Sequence, residues 1–205
     1  MFPYEAMTML REGVNPNLIE NAARMAGMPI TPLALVDEVS VELMYKVLKQ
    51  ANIDQGKNYR AKPQDEVLVA MVEKFDRIGR KTGKGFYDYP ADGKKRLWPG
   101  FAEHYPAAAV QPSVDEVRKR LMYSQSLEAA RCVAEGIVGV RDADVGSLLG
   151  WGFLAVLGGA ISHIDTVGAA RFVEECEVLA KAHSQRFEVP DALREMATRG
   201  GRYHP

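Results

Sequence analysis

Cysteine is nearly absent from this chain, with two residues, Cys132 and Cys176, in 205. So few thiols build no disulfide framework, and their scarcity fits a reducing compartment. An excess of one charge sign is missing as well. The 26 Lys and Arg stand against 27 Asp and Glu, a formal net charge of −1, so no strong overall field draws the chain to nucleic acid or anionic lipid. No apolar run reaches the roughly 20 residues that cross a bilayer. The opening MFPYEAMTMLREG lacks the basic and apolar regions of a secretory signal. A cytoplasmic protein is expected.

The signatures of cofactor chemistry are missing too. No GxGxxG follows a strand pattern, so no dinucleotide-binding fold is expected within these residues. In GRKTGKGF (79–86) only three residues separate Gly79 from Gly83, and Gly rather than Ser or Thr follows Lys84. A tight turn is therefore a better reading than a Walker loop. The four histidines, His104, His163, His183 and His204, have no metal-ligand spacing, and no metal is expected. Alternating strand patterns are scarce, the one extended candidate being residues 85–89.

What the chain does have is helical periodicity. Its 47% hydrophobic content is enough for one large or two small cores. Val67, Leu68, Met71, Val72, Phe75 and Ile78 share one face of a helix predicted over 65–78, and Ala169, Phe172, Val173, Cys176, Leu179 and Ala180 share another. Asn15 before Pro16 suits an N-cap and first helical residue, with Leu18, Ile19, Ala22 and Ala23 as the buried stripe. Ser113 with Glu116 forms a capping box for a long helix running to Glu135 and stopping at Gly136. Ser40 caps a helix carrying Leu43, Met44, Val47 and Leu48.

The chain also repeats itself. EAMTMLREG (5–13) is echoed by EAARCVAEG (128–136), and PLALVDEV (32–39) by AISHIDTV (160–167); GKGFYDYP (83–90) rhymes with GGRYHP (200–205). The offsets of 123 and 128 positions differ by a short insertion, expected near 138–151. A period near one hundred residues is the size of a small domain. The expected organisation is a first helical repeat (1–90), a pinned connector (91–112) and a second repeat (113–205). Four prolines forbid a continuous helix through 89–113, while Leu97, Trp98, Phe101 and Tyr105 are too apolar for a free linker. Asp37 and Asp165 hold matching places and read as helix caps. His163 points away from Asp165 at this spacing, and both cysteines read as inert core thiols.

The segments GVNPNLIENAARMAGMPITPLALVDEVSVEL (13–43), GRKTGKGFYDYP (79–90) and the stretch 128–173 with GWGF and GG resemble the two C-terminal helical domains of 3-hydroxyacyl-CoA dehydrogenases, in particular the α-chain of the bacterial fatty-acid β-oxidation complex. That resemblance implies an all-α fold of the 6-phosphogluconate dehydrogenase C-terminal-like class, duplicated as a pseudo-twofold pair. It also implies a parent enzyme that oxidises 3-hydroxyacyl-CoA to 3-oxoacyl-CoA with NAD and carries enoyl-CoA hydratase activity. In the family the catalytic histidine and its glutamate lie in a Rossmann domain that precedes the phrase matching Phe2-Pro3-Tyr4. The chain therefore reads as truncated, with no catalysis or cofactor binding of its own; a stand-alone scaffold or acyl-CoA-binding module is the alternative.

As the resemblance implies, Met28, Pro29, Ile30, Pro32 and Leu149 contact acyl-CoA. Thr31 stands where the family commonly has Gly, and Leu149 where some members have an aromatic residue. The implied partners are the acyl-CoA substrate and a thiolase chain; an apolar edge of Phe2, Tyr4, Met28, Ile30 and Leu33 is expected either to be covered by self-association or to leave the first few residues disordered.

Overall fold

A computed structural model describes residues 1–91 and 93–204; Asp92 and Pro205, which fall in two of the stretches read above, lie outside the described residues. The chain divides into two compact units, one of residues 2–26 and 30–118, the other of residues 1, 27–29 and 119–205.

The first unit opens with α1 (Phe2–Arg11), α2 (Pro16–Met25), α3 (Pro32–Val39) and α4 (Val41–Gln55). Asn15 caps α2 as expected, its side-chain oxygen accepting from the Asn17 amide at 2.9 Å. Ser40 caps α4, but Leu43 and Val47 of that helix face water, 51% and 55% exposed. α5 (Pro63–Val69) follows and packs against α1, which also packs on α3. Met7, Leu10, Ile19, Leu33, Val36, Leu68 and Met71 are sealed from solvent. Each such side chain contributes about 1.5–3 kcal/mol by burial.

The helix expected over 65–78 ends sooner. After α5 the chain makes one wider turn (Ala70–Lys74) and Asp76 adopts φ 51°. Leaving the helix lets the buried Arg77 donate to the carbonyls of Gly85 (2.7 Å) and Tyr87 (3.2 Å). Within 85–89, Tyr87–Asp88 forms β1, which pairs antiparallel with β2 (Arg96–Leu97). The segment beyond is tied into the same unit through the short α6 (Phe101–His104). The Trp98 amide donates to Phe86 O, the Ala108 amide to Gly13 O, and Gln111 bonds both Gly13 O and the Asn15 amide.

The chain enters the second unit within α7 (Val114–Ala134). Ser113 accepts from the Glu116 amide at 3.1 Å, and Gly136, at φ 70°, follows the helix end. Then come α8 (Val140–Trp151), α9 (Ala160–Val167), α10 (Ala169–His183) and α11 (Asp191–Thr198). α9 packs on α8 and α10, and α10 on α11. Leu121, Leu127, Ile161, Ile164, Phe172, Cys176 and Phe187 form the buried interior.

Candidate functional site

Two carboxyl groups organise the first unit. Glu20, buried on α2, accepts from the Leu33 amide at 2.9 Å and from the hydroxyls of Thr31 and Tyr87. It thereby fixes the entry to α3, where Pro32 holds the first helical position. Asp37, five residues further along α3, takes the amides of Phe86 (2.7 Å) and Tyr87 (2.9 Å) and the Tyr89 hydroxyl (2.9 Å). Asp37 is thus no helix cap. It clasps the returning extended segment to the middle of α3. Burial outweighs these donors and lifts the Asp37 carboxyl to about 6. Burial, with the neighbouring carboxyls, likewise pushes the Tyr87 and Tyr89 phenols up. Only glycine fits at position 85, because a Cβ there would stand 1.9 Å from Asp37 Oδ1.

The same circuit recurs inside the second unit. Asp144 on α8 accepts from the amides of Ile161 (2.7 Å) and Ser162 (3.1 Å) and from the Ser162 hydroxyl, fixing the start of α9. Asp165 on α9 takes the amides of Tyr203 (2.9 Å) and His204 (2.8 Å). His204 Nε2 lies 2.8 Å from Asp144 Oδ2, as the Tyr87 hydroxyl lies against Glu20. Gly159 is demanded as Gly85 is, since a Cβ would meet Asp144 Oδ1 at 2.4 Å. α3 and α9 are both eight residues long, and α4 and α10 both fifteen. Both pairs stand 128 positions apart, and the residues before α4 and α10, Ser40 and Gly168, share φ near 90°.

The residues expected to meet substrate are distributed unevenly in exposure. Leu149, on the outer face of α8, is 84% exposed, Ile30 is 43% exposed, and Pro29 is exposed. Met28 and Pro32 are buried. Residues 27–29 belong to the second unit, where Gly152 leaves room for the Pro29 ring: a Cβ there would come 2.9 Å from Pro29 Cγ. Beside it the Trp151 indole donates to the buried Gln125 at 3.1 Å. The expected open edge does not form. Phe2, Met28 and Leu33 are buried at 3%, 7% and 0%, because each is drawn into a packed interior, and Tyr4 is half-buried; Ile30 alone of the five stands open.

His163 is buried among Tyr123, Phe153 and Phe172 with its Nδ1 2.9 Å from Ser126 Oγ, and burial lowers it to about 4. Cys176 is sealed and its thiol is pushed up by burial, whereas Cys132 is half-buried. The sequence reading missed Glu20, Tyr87, Asp144 and His204. Glu20 had one signal: an acid on the apolar face between Ile19 and Ala23 needs partners when buried. His204 sits three residues after Gly201, in the phrase that echoes GFYDYP, and Tyr87 two after Gly85.

Residues 2–89 match the model of the family described as 3-hydroxyacyl-CoA dehydrogenase, C-terminal domain. Across 208 residues the chain is 34% identical to the fatty acid oxidation complex subunit alpha of Shewanella halifaxensis, covering 99% of this chain and 28% of that protein. The same subunit of Shewanella loihica is 32% identical over 209 residues, covering 100% and 29%. The chain thus spans under a third of the length of these curated relatives. Among solved structures, 3-hydroxybutyryl-CoA dehydrogenase from Escherichia coli matches with a TM-score of 0.66 and 19% identity, over 97% of this chain and 58% of that one. The dehydrogenase part of multifunctional enzyme 1 from Caenorhabditis elegans matches at 0.62 with 16% identity, over 95% and 45%. At such identities the likeness is one of fold.

Proposed function

We propose, from the match of residues 2–89 to the 3-hydroxyacyl-CoA dehydrogenase C-terminal domain, that the chain works as the helical part of an NAD-dependent 3-hydroxyacyl-CoA dehydrogenase of fatty-acid β-oxidation. The observation that carries the proposal is the alignment to an alpha subunit of a fatty acid oxidation complex along 99% of the chain, both units included. In this reading the oxidation of 3-hydroxyacyl-CoA to 3-oxoacyl-CoA needs a separate NAD domain, because hydride transfer requires a bound nicotinamide and a base within reach of the hydroxyl. The helical units close the acyl-CoA site. Pro29, Ile30 and Leu149 would each offer it an exposed apolar side chain, while Met28 and Pro32 are buried. A cytoplasmic setting and a thiolase chain as partner accompany this function.

We also infer that residues 16–55 and 140–183 are copies of one ancestral unit. The matched carboxyl clasps and the equal lengths of α3 and α9 and of α4 and α10 support this, with two of the second copy's extra residues inside α8 and two between Trp151 and Ala160. An experimental structure in which these stretches do not superpose would contradict the copy reading.

The functional test is NADH formation from 3-hydroxybutyryl-CoA by the chain alone and by the chain mixed with a dehydrogenase NAD domain. Turnover is expected only in the mixture. Turnover by the chain alone would refute the need for a second domain.

A further inference from the structure

One stretch of the first unit carries positive charge that the dehydrogenase reading leaves unused. Residues 79–96 hold six cations (Arg80, Lys81, Lys84, Lys94, Lys95 and Arg96) and two acids (Asp88 and Asp92) in a chain whose formal net charge is −1. All six cations are exposed. Asp88 is already engaged by Arg77 at 2.5 Å and Arg96 at 3.6 Å, and Arg80 pairs with Glu38 at 2.5 Å. Within the same stretch lies an open depression of about 450 Å³, lined by Glu38, Arg80, Gly83, Tyr89, Pro90 and Lys95 among others.

The walls of this depression are of two kinds. Tyr89 and Pro90 give a flat apolar side, and the Tyr89 ring is fixed because its hydroxyl is held by Asp37 at 2.9 Å. Arg80 and Lys95 give a cationic side, with the Arg80 guanidinium 5.8 Å from the Tyr89 ring and Lys95 Nζ 5.0 Å from that of Tyr87. The turn itself has few amides to offer an anion. Those of Gly79, Thr82, Gly83 and Gly85 donate to Lys84 O, Gly79 O, Arg80 O and Tyr87 O, and those of Phe86 and Tyr87 to Asp37. A backbone cradle of the Walker kind is thereby excluded, and an anion must be held by side chains. Such a site matches a ligand with a flat ring at one end and several negative charges at the other.

We propose that this depression binds a phosphorylated nucleoside, its ring against Tyr89 and Pro90 and its phosphates on Lys95 and Arg80. The adenosine 3′,5′-bisphosphate end of coenzyme A is one source, and naming it rests on the proposed function; the binding class does not.

The test is a titration of the full chain, followed by NMR, with 3′,5′-ADP, NAD⁺ and inorganic phosphate as probes. Saturable 3′,5′-ADP binding is expected, with shifts at Tyr89 and Lys95, at least about tenfold stronger than for inorganic phosphate. That ratio corresponds to about 1.4 kcal/mol for the ring. Lys95→Glu should weaken binding at least about fivefold, and Lys57→Glu, which lines no part of the depression, should leave it unchanged. Equal affinity for 3′,5′-ADP and NAD⁺ would keep the class and remove coenzyme A as the source. Inorganic phosphate binding as tightly as either nucleotide, an unaltered affinity in Lys95→Glu, or no saturable binding would overturn the proposal. Since 3′,5′-ADP carries no acyl group or thioester, such a failure leaves the dehydrogenase reading untouched.

Discussion

Asp37 and His163 are buried titratable groups whose pH effects have opposite signs. Burial raises the Asp37 carboxyl from 3.8 to about 6. Its protonated form is favoured in the folded state, so its contribution is complete below about 4 and is lost as pH rises through about 6. Burial lowers His163 from 6.5 to about 4. Its contribution is complete above about 6.5 and is lost as pH falls through about 4. Each shift corresponds to roughly 3 kcal/mol at most. Between pH about 4 and 6 the two slopes therefore offset each other. Urea unfolding should show a shallow pH dependence for the unaltered chain in that window. Asp37→Asn should expose the acid loss due to His163, and His163→Gln should expose the gain toward acid due to Asp37. Carbon NMR of the Asp37 carboxyl should find a midpoint near 6; a midpoint below 4 would mean the donors from Phe86, Tyr87 and Tyr89 outweigh burial.

The helices were legible in the sequence wherever a local signal sets them. Asn15-Pro16, Ser40, and Ser113 with Glu116 each mark a helix start within a residue of where it lies, because capping is chemistry between neighbours. The failures were tertiary. The helix over 65–78 is cut short as Arg77 reaches the carbonyls of Gly85 and Tyr87, and Asp37 resembles a cap in the sequence because its partners lie 49 and 50 positions away. Those carboxyl clasps depend on missing side chains. Gly85→Ala and Gly159→Ala should each destabilise the chain by about 2–4 kcal/mol, the range for breaking a buried hydrogen-bond network. Gly146, in α8 with open space around it, provides the contrast. Gly146→Ala should stabilise by about 0.5–1 kcal/mol. Thermal unfolding of the three variants separates the effects, and a Gly85→Ala chain as stable as the unaltered one would refute the clasp at Asp37.

At the scale of the whole molecule, the all-α class followed from period and composition, and the likeness to the dehydrogenase family from phrases such as GMPITPLALVDEV, KTGKGFYDY and GWGF. Exposure did not follow from either. Phe2, Met28 and Leu33 were expected at an open edge and are buried, since a linear pattern marks a residue as apolar without saying which neighbour covers it. The proposed site keeps Ile30, Pro29 and Leu149 exposed. Leu149→Asp, on a side chain 84% exposed, should leave stability within about 0.5 kcal/mol while raising KM for a long-chain 3-hydroxyacyl-CoA in an enzyme that contains the chain. The central claim is that these residues complete a 3-hydroxyacyl-CoA dehydrogenase, and a chimaera tests it most directly. The chain replaces the matching stretch of the Shewanella halifaxensis alpha subunit, NADH binding confirms that the NAD domain is folded, and NADH production from 3-hydroxyacyl-CoA is followed. The account predicts turnover within about a hundredfold of the natural subunit; a folded, NADH-binding chimaera without turnover would contradict it.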